Sequence, residues 1–475
     1  MTEGRLPQLH HADGGADRFL FYGLLALLVW LPLPLGSNRP WAMAIMQLWV
    51  LVIFTLWLAR ARTGHLLLTR SARLGSWLLG VFGLWLLYGL FQLVPLPILV
   101  ISELSPVAAV HYRNALGTSA RFIPVALNVQ SGLEVWIQSI CYVLLFILLL
   151  LLVRSRRRVR LLAQVLVAAA VFQAVLASLI ALSGAELWFI DRSSAAHGTF
   201  PNRNHLAGFL ELNLALGIGL LIAEAKSARS GRIWRQRLRD WARTLLGPST
   251  RIRIGLAIMV VALVLTASRM GNVAFFSSLL LAGVPALFFF RSSPQPVLIL
   301  LISLVLIDLL ILGSWFGLDR VRERIERTVI TEELRYDINL DGVDYLDDFL
   351  LFGSGGGSFN AVYLAYQDRS TVRSFVRHAD NDYLEFLLEF GLIGSLPLAS
   401  TVLLSIGAAA IVLTRRRDQL AKGMSFATLM GVFALLIHSS ADFNLRIPAN
   451  VALFLVLLAL PWIGLALTEE EQQLD

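Results

Sequence analysis

Residues 352–394 read FGSGGGSFNAVYLAYQDRSTVRSFVRHADNDYLEFLLEFGLIG. The stretch opens as glycine-rich polar chain and closes as an apolar helix, with Leu384, Leu387, Leu388 and Leu392 at helical spacing. It ends the longest polar interval of a chain otherwise built from apolar segments. It therefore marks where the chain turns back into nonpolar surroundings. It also gathers glycines, arginines, a histidine and paired acids, the groups that chemistry can use.

The apolar segments around it have the length of bilayer spans. Of 475 residues 57% are hydrophobic and 15% charged, with a mean hydropathy of +0.71, whereas soluble domains carry about 25% charged residues. At roughly 17–25 residues per span, candidate spans fall at 19–35, 41–59, 74–94, 135–153, 161–182, 206–223, 252–267, 272–290, 297–316, 394–413, 424–440 and 451–467. The expected fold is an all-α polytopic membrane protein with about 12 transmembrane helices and one large periplasmic loop that itself contains helices. On this reading residues 1–18 are a cytoplasmic tail and 19–316 hold the first nine spans. Residues 317–393 form the loop, 394–467 the last three spans, and 468–475 a second tail. The first apolar run lacks a small-residue cleavage site and reads as a retained span rather than a signal peptide.

Arginine sets the orientation. The net charge of +8 is almost wholly arginine, because Lys226 and Lys422 are the only lysines. The arginines sit in short runs between spans, at 60–73, 154–160 (RSRRRVR), 226–253 and 414–417 (TRRR). This is positive-inside topology with both termini cytoplasmic, and it argues against a nucleic-acid face. The 226–253 segment reads equally as an amphipathic helix on the anionic leaflet or as a solvated basic loop. Cys141 is the single cysteine, so no intrachain disulfide forms.

The opposite face carries the unusual residues. At 198–208, GTFPNRNHLAG precedes a span; Asn202 caps that helix, and Arg203 and His205 lie where a helix N-terminus favours anions. A plain cap with a snorkelling arginine is the competing reading. Arg269 stands in TASRMGN, a turn between spans, where guanidinium suits phosphate or lipid headgroups. DINLDGVDYLDD at 337–348 follows a calcium-loop pattern through Asp337, Asn339, Asp341 and Asp348, or else is an acidic helix packing through Val343, Leu346 and Leu350. FGSGGGSF lacks the Lys-Ser/Thr of a P-loop and reads as a turn that lets backbone approach a ligand. Asp380 and Asp382 are placed to cap the re-entering helix, one turn after His378, whose type suits a general base near neutral pH. HSSADFNLRIP at 438–448 brings Asp442 and Arg446 to the same face, as an orienting pair or an interfacial ion pair.

Taken in order, GTFPNRNHLAG, the SR of TASRMG, Arg335 before LFGSGGGSF, HADNDYLEFLLEFGLIG and SSADFNLRIP resemble the O-antigen ligase family over roughly residues 190–460. That family also includes O-antigen polymerases and some protein O-oligosaccharyltransferases. The resemblance implies an inverting, metal-independent glycosyl transfer with no cofactor required. The donor would be an undecaprenyl-diphosphate-linked glycan and the acceptor a sugar hydroxyl of lipid A–core, at the periplasmic face of the bacterial inner membrane. Polymerase and protein O-oligosaccharyltransferase activities are the alternatives. The family's loop histidine falls on His378; where many relatives have a second histidine directly before the Asn, this chain has Asp380. Arg203, Arg269 and Arg335 would clamp the diphosphate with Asn202 and His205 beside them. Asp382, Asp442 and Arg446 would support the base. A transporter would place its ionisable residues near mid-membrane; here, Asp308 apart, they lie on loops and turns of one face.

Overall fold

The protein is described from a computed structural model covering residues 15–63, 68–117, 121–184, 195–224, 248–289, 338, 340–367 and 376–467. Its helices are α1 (Gly15–Trp30), α2 (Pro40–Arg62), α3 (Arg70–Leu74), α4 (Ser76–Leu93), α5 (Ile98–Leu104) and α6 (Pro106–Leu116). There follow α7 (Val129–Leu152), α8 (Arg156–Ser183), α9 (Arg203–Glu224), α10 (Pro248–Leu265) and α11 (Arg269–Phe289). The last are α12 (340–349), α13 (Phe359–Val362), α14 (Asp382–Arg415), α15 (Gln419–His438) and α16 (Pro448–Ala466). Among the described residues eight helices are long and apolar enough to cross a membrane: α2, α4, α7, α8, α9, α14, α15 and α16. The protein is an all-α membrane protein. Helices α1, α10 and α11 coincide with three further expected spans. The ninth expected span (297–316), most of the basic 226–253 segment and Arg335 lie outside the described residues.

The first expected span is too long. It ends at Trp30 rather than at residue 35, because Pro32 and Pro34 cannot donate to a helix. Leu35, Gly36 and Ser37 then take positive φ in a tight turn.

Helix α9 runs through the middle of the bundle, with 94% of its apolar window buried. It crosses α15 at two glycines: a Cβ on Gly219 would lie 2.4 Å from the Gly423 carbonyl oxygen, and one on Gly423 would lie 2.2 Å from that of Gly219. Without lipid-like side chains between them the two backbones pack directly, the usual device where no hydrophobic effect drives helices together. Gly219 meets Gly423 near one end, and Glu211 meets His438 towards the other, so α9 and α15 are antiparallel.

The arginine-rich turns gather at one end of this bundle. Asp17 pairs with Arg154 and Arg158, each at 2.6 Å, and Arg156 pairs with Asp418 at 2.5 Å. Arg203, Arg269 and the 438–446 segment lie at the other end, where a small second core covers the bundle. That core joins Ile101, Ala108 and Ile123 to Tyr345, Phe349, Phe359, Tyr363 and Val376, so two loops far apart in sequence fold as one cap. Strands Leu96–Pro97 and Phe122–Ile123 pair antiparallel at its edge.

Two expectations for this cap are corrected. The calcium-loop reading required 337–348 to curl around an ion, but 340–349 is helical. Asp341 and Asp348, seven residues apart, are therefore separated by roughly 10 Å of helix axis. Each carboxylate instead accepts a tyrosine hydroxyl, Tyr363 at 2.7 Å and Tyr366 at 2.6 Å. Asp337 and Asn339 lie outside the described residues. The helix packs through Tyr345 and Phe349 with Leu346 partly buried beside them, as expected for that residue, but leaves Val343 and Leu350 exposed.

The glycine-rich turn packs its backbone against that of α14. Helix α14 is broken at Gly391, at φ 63° and ψ −174°. Ser354 and Gly355 donate to the carbonyls of Leu388 and Glu389 at 2.9 Å each, while Leu392 donates to Leu350 at 2.8 Å. A Cβ on Gly391 would sit 2.3 Å from the Leu351 carbonyl oxygen. Tyr88 and Gln92 of α4 close the join by donating to the carbonyls of Phe352, Phe390 and Glu389 at 2.7–2.9 Å. Gly391→Ala is therefore expected to lose at least about 1–3 kcal/mol from backbone strain alone. A melt of the purified variant beside Gly407→Ala, which has open space around its Cβ, checks this. Equal melting temperatures would contradict it.

Candidate functional site

The site forms where the N-terminal half of α14 meets the short segment 438–446. Asn381, not Asp380 or Asp382, caps α14, its side-chain oxygen accepting from Tyr383 N at 3.1 Å and Leu384 N at 3.2 Å. Asp380 has instead a positive φ of 49° and reverses the chain into the helix. The first two turns of α14 then carry Asp382, Glu385 and Glu389, spaced i, i+3 and i+7 on one face, all buried.

That acidic stripe holds the histidine. His378 Nδ1 lies 3.0 Å from Glu385 Oε1, and Ala379 N donates to Glu385 Oε2 at 3.0 Å. Arg446 reaches Glu385 with Nε at 3.1 Å and Glu389 at 2.6 Å, and its guanidinium lies 4.8 Å over the Phe386 ring. Burial works against the Arg446 charge, but Glu389 and Glu385 outweigh it and raise its pKa above that of an ordinary arginine. The acid on His378 is thus Glu385, not Asp382 or Asp442. Asp382 Oδ2 accepts from Ser439 Oγ at 2.7 Å and Leu445 N at 3.0 Å, fixing the 438–446 segment against α14. Asp442 faces away, towards His438 and Asn444.

A carboxylate only accepts, so Nδ1 is the donor in this contact. The His378 side chain is 24% exposed and Glu385 only 3%. A partly exposed histidine backed by a buried acid is an arrangement able to accept a proton from a hydroxyl. The ring also stacks on Phe443, at 4.2 Å between centroids and 17° between planes, which fixes its plane.

His205 contacts Phe443 edge-on at 4.7 Å from another side. It is buried in the first turn of α9, and neither ring nitrogen has a hydrogen-bond partner among the described residues. Asn202 accepts from Asn204 N at 2.9 Å and opens that helix, as its type anticipates. Arg203 and Arg269 are the first residues of α9 and α11, and both are exposed. The two helix starts are neighbours: a Cβ on Gly271 would lie 2.7 Å from that of Ala207, and Ala196 N donates to Leu265 O at 2.9 Å. Two helix N-termini, each with a guanidinium, make this end of the bundle attractive to a polyanion.

Glu211, Glu385, Glu389, His438 and Phe443 were not singled out by sequence reasoning. The spacing of acids in DYLEFLLE was the available signal: three carboxylates on one face of an apolar helix are too costly to bury without partners. Nothing comparable flags Glu211 or His438, whose pairing spans 227 residues. Among the described residues no group of three or more His, Cys, Asp or Glu is placed to hold a metal ion.

The described residues thus form a helical membrane bundle that gathers, at one end, a histidine backed by a buried carboxylate and two arginine-bearing helix starts. Residues 254–399 match the family model described as O-antigen ligase, so this stretch of the chain is similar to that family. The match supports glycosyl transfer of the O-antigen ligase or polymerase kind. It takes in Arg269, His378 and Glu385 but not Arg203, Glu211, His438 or Arg446, so half of the site comes from chain outside the matched domain. No curated protein matches the chain.

Proposed function

We propose that the protein transfers a glycan from undecaprenyl diphosphate to a sugar hydroxyl of lipid A–core, with inversion at the anomeric carbon. The observation that carries this reading is the His378–Glu385–Arg446 chain, in which a partly exposed histidine is tied through Nδ1 to a buried acid. His378 takes the proton of the acceptor hydroxyl as its oxygen attacks the anomeric carbon. The bond from that carbon to the diphosphate oxygen breaks on the opposite face, and its electron pair leaves with undecaprenyl diphosphate. Arg203 and Arg269 bind the diphosphate and stabilise the charge that grows on it. Arg335, the third arginine of the expected clamp, lies outside the described residues. In this reading about twelve spans leave both termini in the cytoplasm and the site at the periplasmic face of the inner membrane.

Purified protein in nanodiscs, given a polyprenyl-diphosphate-linked oligosaccharide, tests the reading. It should release polyprenyl diphosphate only when an acceptor is present, and glycosylate lipid A–core in preference to a second lipid-linked repeat or a serine peptide. Preference for either of the others would make it a polymerase or a protein glycosyltransferase. In the same assay Arg269→Ala is expected to cost about 2–4 kcal/mol of transition-state stabilisation, a fall of roughly 30- to 1,000-fold in kcat/KM. An unchanged kcat/KM would remove Arg269 from the diphosphate site.

A further inference from the structure

Deeper in the bundle lies an ionisable group that the transfer chemistry above leaves unused. His438, the last residue of α15, is 0% exposed, as is Glu211 in the interior of α9. Nδ1 of His438 is 2.9 Å from Glu211 Oε1, and Nε2 faces Asp442 Oδ2 at 3.7 Å. Titratable groups buried this far inside a membrane bundle are costly and are kept where they serve a function.

The segment that begins at His438 is pinned at both ends. His438 ties its start to α9, while Arg446 ties its finish to Glu385 and Glu389 of α14. Between the two anchors stands Phe443, the residue on which the His378 ring stacks and against whose edge His205 rests. Asn444 seals the middle: it donates to Asp442 at 3.3 Å and accepts from Asn450 Nδ2 at 2.9 Å. Asn450 also donates to the His205 carbonyl at 3.0 Å. The plane of His378 thus has two determinants, Glu385 through Nδ1 and Phe443 through the ring face.

We infer that Glu211 and His438 are positioning residues for the glycosyl transfer proposed above, acting through Phe443 to hold the His378 ring. Neither touches the substrate. Their effect is on the geometry of proton transfer, where a displacement of about 1 Å costs roughly 100-fold in rate. This inference rests on the reading of His378 as the base.

The test is steady-state kinetics on the full-length protein in nanodiscs, with a polyprenyl-diphosphate-linked oligosaccharide and lipid A–core. Glu211→Gln keeps the side-chain volume, and Phe443→Leu removes the stacking platform. Both are expected to lower kcat about tenfold or more with the donor KM within about twofold, the pattern of a loss confined to the chemical step. Phe443→Tyr, which retains the ring, should restore kcat to within about threefold, a rescue that a purely structural lesion would not show. Wild-type kcat in Glu211→Gln and Phe443→Leu overturns the inference, and so does a raised donor KM with kcat intact. His378→Ala, measured alongside, separates the two levels. If it is inactive while the other two variants are normal, only the positioning inference falls. If it is fully active, the base assignment falls first.

Discussion

With His378 replaced by alanine, transfer is expected to fall by about 100- to 10,000-fold, the contribution of one well-placed general base. The loss should appear in kcat, because on the proposed reading the residue meets the acceptor hydroxyl while Arg203 and Arg269, at the starts of α9 and α11, hold the donor. Donor binding by the variant, measured with radiolabelled polyprenyl-diphosphate oligosaccharide, should remain within about threefold of wild type. Full turnover by His378→Ala would mean that the acceptor loses its proton elsewhere, and that Glu385 backs the ring for structural reasons alone.

The second large effect concerns Arg446, whose guanidinium answers two buried carboxylates at once. Arg446→Leu leaves Glu385 and Glu389 without their cation in a site that is 1–3% exposed on the acidic side. Breaking a buried pair from one side costs about 3–5 kcal/mol, because the remaining charge is uncompensated. A fall of several degrees in the melting temperature is expected, together with loss of transfer. Glu389→Gln should be milder, since Arg446 still pairs with Glu385 at 3.1 Å. If Arg446→Leu melts with the wild type, the pair contributes nothing net and the acids are accommodated in some other way.

The membrane character and most of the span positions were open to reading because bilayer thickness imposes a length that composition alone reveals. Proline corrected the first span locally, at Pro32 and Pro34. Residue type and turn chemistry also pointed to His378, Arg203 and Arg269. The partners were harder to foresee. Glu385 belongs to a helix read for its leucines, and its acids only make sense once Arg446 arrives from another hairpin. Asp382 and Asp442 were chosen as orienting acids because they stand near His378 in sequence or beside Arg446. Helical periodicity turns Asp382 towards Ser439 instead, and Asp442 towards His438. The cap was not legible either, because no local pattern joins Ile101 to Tyr345; only long-range packing does.

The dependence of the site on residues 438–446 has a consequence for how the enzyme comes into being. Ribosomes deliver the chain from its N-terminus, so α9, α11 and the glycine turn are synthesised before α15 and α16. Until that last hairpin inserts, Glu385 and Glu389 have no Arg446, Glu211 has no His438, and the His378 ring has no Phe443 beneath it. On the proposed reading, copies that lack residues 438–446 would hold an incomplete site and leave the donor unconsumed.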